Sequence, residues 1–120
     1  MKAFIFSICV LALLITAILI NTLYVARVTS SMQEKLQVLP PCAQAREYAK
    51  DLLAFWKSKE KILELSVSAT DISEVSERLT IIYAATSPLD EKAFEQARAL
   101  CLDDIERIRD LERFTFLHIL

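Results

Sequence analysis

Apolar and polar residues are laid out along this chain in two different ways. One run opens at Ala3 and closes at Ala26 without a charged side chain, with Lys2 just before it and Arg27 just after. A helix of that length reaches about 36 Å at ~1.5 Å per residue, enough to cross a hydrocarbon core of ~30 Å with some tilt. Beyond Arg27 charges are spread throughout, and the apolar residues recur at three- and four-residue steps, as on one face of an amphipathic helix.

Val25, Val28, Met32, Leu36 and Leu39 keep that spacing up to Pro40-Pro41. The span is therefore expected to continue as one helix into a stalk ending near Leu39, because proline disfavours the helical conformation of the residue before it. A second helix, starting at Pro41 or Cys42 and running to about Ser66, carries Ala45, Tyr48, Ala49, Leu52, Phe55, Trp56, Ile62 and Leu63 on one face. Lys57, Lys59 and Lys61 fall opposite it and read as a solvated surface. A third helix, capped at Thr70 or Asp71 with Glu74 completing a capping box, runs to about Ala85 through Ile72, Val75, Leu79, Ile82 and Tyr83. The clearest start signal is Ser87-Pro88-Leu89-Asp90-Glu91: a serine cap, proline in the first turn and acids that complement the helix dipole. The fourth helix follows to about Thr115 with Phe94, Ala97, Cys101, Ile105, Ile108 and Leu111 on its stripe. Glu74 with Arg78 and Asp103 with Arg107 stand at i,i+4 spacing for surface ion pairs.

These elements predict an all-α chain: a transmembrane helix and stalk over residues 1–39, then an antiparallel three-helix up-down bundle over residues 40–120, with the stalk as a candidate fourth member. The three helices after the stalk count out at about 38, 24 and 42 Å. On those lengths the outer two project past the shorter middle one and leave apolar surface for a partner.

Composition sharpens this picture mainly by exclusion. The chain contains no glycine, which removes the glycine-rich loops that cradle phosphates and the usual tight hairpin turns. Lysine and arginine total 14 against 16 acids, with both signs intermixed. A nucleic-acid partner, which calls for a basic patch, is therefore not expected. Only Arg27 and Lys35 lie close to the span in sequence, a thin match to an anionic lipid surface.

The apolar core of the first segment is longer than that of a signal peptide, and Val28-Thr29-Ser30 is a poor cleavage site, so an uncleaved signal anchor is expected. Cys9 follows Phe6-Ser7-Ile8 and does not fit a lipoprotein cysteine. Lys2 with the amino terminus, against Arg27 and Lys35, places the N-terminus in the cytoplasm and the bundle outside it.

Little in the chain points to chemistry. His118 is the only histidine, too isolated for a catalytic dyad or a transition-metal site. The acids Asp103-Asp104 and Glu60/Glu64 read as surface residues, since a thin bundle offers no cleft to perturb them. Cys42 and Cys101 fall too far apart along their helices for a disulfide. No catalytic, cofactor-binding or metal-ligating set emerges, and enzymatic activity is not expected. Trp56 reads as a core anchor or, alternatively, as part of a partner-binding surface together with Phe114, Phe116, Leu117, Ile119 and Leu120.

Several features also resemble a family of short single-span bacterial membrane proteins, mostly Gram-positive, known as a domain of unknown function. They are the N-terminal anchor, Trp56-Lys57-Ser58-Lys59-Glu60-Lys61-Ile62-Leu63, Asp71-Ile72-Ser73-Glu74-Val75, the Arg78-Leu79 pair before Tyr83, and the aliphatic ending from Leu111-Glu112 to Ile119-Leu120. The resemblance implies a membrane-anchored helical protein and brings no activity with it. Two roles follow from the residues. The first is an interaction module binding another envelope or membrane protein beside the lipid bilayer. The second is a sensory domain holding an apolar or lipid-like molecule among Tyr48, Phe55, Trp56, Tyr83 and Phe94.

Overall fold

The computed structural model describes residues 1–119, apart from the side chains of Thr115, Phe116 and Ile119. It contains four helices and no strand among the described residues: α1 Lys2–Gln37, α2 Arg46–Leu63, α3 Ala69–Thr86 and α4 Glu91–Ile119, with a 3₁₀ turn at Cys42–Gln44 before α2. The expected all-α architecture is realised in its four-member form. Val25, Val28, Met32 and Leu36 of α1 are buried with the stripes of the other helices, so the bundle takes in the second part of α1 rather than starting at Pro40.

The helices run up, down, up and down as a closed ring, each packed on its neighbours, with α4 returning against α1. The molecule measures 68 × 22 × 22 Å. Its long dimension comes from α1, whose first part stands clear of the bundle: residues 2–18 are exposed on every side. Helix α1 is long and apolar enough to cross a membrane.

The stops and starts differ from the sequence expectations in ways that change the lengths. Pro41 does not begin α2; it begins the 3₁₀ turn, which buries Cys42, and α2 starts only at Arg46. Helix α2 also ends early, because the Leu63 carbonyl accepts from the amides of both Ser66 and Val67, at 3.1 and 2.8 Å, and turns the chain. Helix α3 starts sooner than expected: Ser68, not Thr70 or Asp71, is the cap, its hydroxyl oxygen accepting from the Asp71 amide at 3.1 Å. The result is that α2 and α3 are both 18 residues long. The overhang of α2 past α3 expected from the residue count is absent, while α4, at 29 residues, still outruns α3.

At the next turn Ser87 and Pro88 close α3 instead of opening α4. Asp90 is the cap, with Oδ1 accepting from the Ala93 amide at 3.1 Å. The Asp90 amide folds back to the Ala85 carbonyl at 3.0 Å, and this reversal puts Leu89 in the left-handed region at φ 55. A glycine would ordinarily take that position, and the chain has none. At its other end α4 continues past Thr115 to Ile119. The apolar sequence there is thus part of the helix.

Candidate interaction surfaces

Trp56 is wholly buried, and its indole Nε1–H donates to the Ile72 carbonyl at 3.4 Å. It therefore anchors the core between α2 and α3 and presents no surface of its own. Phe94 is wholly buried as well. Phe55 and Tyr83 lie half-buried beneath cations: Lys35 Nζ sits 3.6 Å and Lys59 Nζ 5.5 Å from the Phe55 ring centre, and the Arg46 guanidinium 5.0 Å from that of Tyr83. Of the five aromatics considered for an apolar ligand, Tyr48 is the one that lines a surface groove.

That groove lies at the α1–α2 seam, the most loosely packed of the four neighbouring pairs. Lys35, Val38 and Leu39 form one wall, and Tyr48, Asp51 and Leu52 the other, around a volume of about 320 Å³. Val38 is 74% and Tyr48 61% exposed. The seam is open because α1 ends at Gln37 and the Pro40-Pro41 turn carries the chain away before α2 begins. A groove with apolar floor and walls, bordered by one cation and one anion, suits an amphipathic segment of another protein.

The acids read as surface residues include one that is not. Asp104 is only 7% exposed, with Arg78 Nε 3.5 Å away and Arg107 3.6 Å away. Burial pushes its carboxyl above the usual carboxylate value, outweighing the pull of Arg78 and Arg107, while Glu74 adds to the rise. Arg107 also pairs with Asp71 and Glu74 across the α3–α4 interface. In place of the intrahelical pairs expected for Glu74 with Arg78 and Asp103 with Arg107, Arg78 pairs with Asp104 and Arg107 with Asp71 and Glu74 between helices, and Arg107 keeps Asp104 as a partner on its own helix. The signal was present in the sequence: Asp104 stands three residues after Cys101 and seven after Ala97, squarely on the α4 stripe. No group of three or more metal-ligating side chains assembles among the described residues.

Cys42 and Cys101 are free, buried thiols. Burial raises both pKa values, that of Cys101 to about 12. Cys42 Sγ lies 3.5 Å from the Ala85 carbonyl at the end of the bundle far from the apolar part of α1.

At the opposite end, α4 runs beside α1 in the reverse direction. Arg109 donates to the Gln33 side chain, and Arg109, Glu112 and Arg113 share a groove with Thr22, Val25 and Ala26. The fold thus brings two further arginines to the part of α1 where the sequence offered only Arg27 and Lys35. Phe114 and Leu117 are 60% and 65% exposed, and the Phe114 ring lies 4.2 Å from that of His118. The Phe116 and Ile119 side chains and Leu120, the other members of the expected partner-binding group, lie outside the described residues. No protein family, curated protein or solved structure matches this chain.

Proposed function

We propose that this chain is a membrane-tethered helical interaction module. The apolar part of α1, from Ala3 to about Thr22, crosses a bilayer with the N-terminus on the cytoplasmic side, and the bundle stands outside the cytoplasm, where it takes up another membrane or envelope protein. The observation that carries this reading is the open α1–α2 seam at the far end of the bundle. Every other neighbouring pair of helices is well packed, while this one leaves Val38 and Tyr48 exposed beside Leu39 and Leu52. The fitting partner is an amphipathic helix with an apolar stripe for the groove and charges that meet Lys35 and Asp51.

A photo-crosslinking residue in place of Tyr48, activated in intact membranes, tests the assignment. The expected result is one defined protein adduct that disappears when Val38→Glu is added, while the thermal melt is unchanged. An adduct pattern indifferent to Val38→Glu refutes the groove as the docking site. Digestion of intact cells by protease tests the orientation: the bundle is expected to be cleaved from outside.

A further inference from the structure

The first part of α1 is too short to cross a bilayer alone. Residues 2–18 are exposed all round, and their helix is about 26 Å long, below the ~30 Å of a hydrocarbon core. From Leu19 on, α1 is partly covered: Leu19, Thr22 and Tyr24 are half-buried and Val25 is fully buried. Helix α4 lies along this stretch: Arg109, Glu112 and Arg113 line a groove with Thr22, Val25 and Ala26, and α4 runs on toward Leu19. A hydrocarbon layer that begins at Ala3 ends near Thr22, and so includes a stretch of α1 already accompanied by α4.

We infer that the last turns of α4, beyond Arg113, are embedded in the outer boundary of the bilayer beside α1, with lipid acyl chains as the occupant of their exposed apolar face. This inference rests on α1 being a membrane span. The sequence changes character at the required point: Arg113 is the last charged side chain, and Phe114-Thr115-Phe116-Leu117-His118-Ile119-Leu120 follows. Phe114 and Leu117 project away from the bundle, which is unfavourable in water and favourable against acyl chains. Arg27, Arg109 and Arg113 stand at the level of the headgroups, where long basic side chains keep their charge in contact with water and phosphate. Asp110 and Glu112 lie in the same turn of α4, so the surface there is mixed in sign, and the attraction to the bilayer is apolar rather than electrostatic.

Depth-dependent fluorescence quenching of the full chain in lipid vesicles tests this. Two variants, Leu117→Trp and Leu13→Trp, are compared with the parent, whose buried Trp56 supplies the baseline. The expected result is that the added emission of Leu117→Trp is lost mainly with lipids brominated near the headgroup end of the acyl chain, and that of Leu13→Trp mainly with lipids brominated deeper. If Leu13→Trp is quenched and Leu117→Trp is instead quenched by aqueous acrylamide, the span stands and the embedding of α4 is overturned. If neither is quenched by brominated lipid, the membrane span itself falls, and the embedding with it.

Discussion

The indole N–H of Trp56 and the main-chain carbonyl of Ile72 meet at 3.4 Å across the α2–α3 interface. Because Trp56 is the only tryptophan in the chain, its emission reports this one contact. The emission maximum is expected at short wavelength and protected from aqueous quenchers until the bundle unfolds. Trp56→Ala should cost about 3–5 kcal/mol of stability in denaturant titrations followed by circular dichroism. Trp56→Phe, which keeps most of the apolar contact and removes only the bond to the Ile72 carbonyl, should cost about 1 kcal/mol.

Asp104 makes the fold sensitive to acid in an unusual direction. Its folded carboxyl binds a proton more tightly than the unfolded one, whose value is near 3.8. Stability at this site is therefore greatest below that value and declines as pH rises through the raised one. Asp104→Asn removes the burial penalty while Arg78 and Arg107, both part-exposed, keep their contact with water. The variant should be at least as stable as the parent at neutral pH, with the advantage closing below about pH 3.8. Unfolding midpoints measured across acid pH check both parts.

The buried thiols have the corresponding effect in alkali. Cys101 has an ordinary value of 9.0 and a folded value of about 12. Between these values the unfolded chain releases the proton and the folded chain holds it, so stability falls as pH rises, by about 1.4 kcal/mol per pH unit for this one group. Cys101→Ala should flatten the alkaline limb of the stability profile relative to the parent. Alkylation under native conditions should leave Cys42 and Cys101 unmodified, and mass spectrometry after unfolding should find both reactive.

Leu89 holds a left-handed backbone, φ 55, with its side chain in solvent. A branched residue there carries a steric cost that glycine avoids. Leu89→Gly should raise the unfolding free energy by about 1 kcal/mol, net of the greater freedom glycine has in the unfolded chain. A decrease would show that the turn is held by contacts of the Leu89 side chain instead.

Apolar spacing alone was enough to identify all four helices and nearly every buried position, from Val25 to Ile108, because burial in a bundle is what the three- and four-residue rhythm encodes. Helix ends were less legible. Thr70, Asp71 and Ser87 are all competent caps, and Ser68 and Asp90 won through hydrogen bonds to Asp71 and Ala93 that depend on how the turns close. Equal lengths for α2 and α3 followed from those ends, and with them went the expected overhang of α2, while that of α4 remains. The open α1–α2 seam and the arginines gathered at the α1–α4 interface depend on which helices become neighbours, a property that local periodicity does not contain. Asp104 is the intermediate case, since its place on the α4 stripe was readable but its partner Arg78 lies on another helix.

Helix α1 is a single helix of 36 residues, without glycine or proline, and it is at once the exposed apolar rod and a wall of the core. A kink would have to break main-chain hydrogen bonds with neither glycine nor proline to relieve the loss. The bundle consequently has no swivel: fixing the tilt and rotation of residues 2–18 also fixes the direction in which the groove at Val38 and Tyr48 faces. Under the proposed function, a partner is met in one orientation only, and a bilayer thickness that tilts the rod re-aims the groove as a whole.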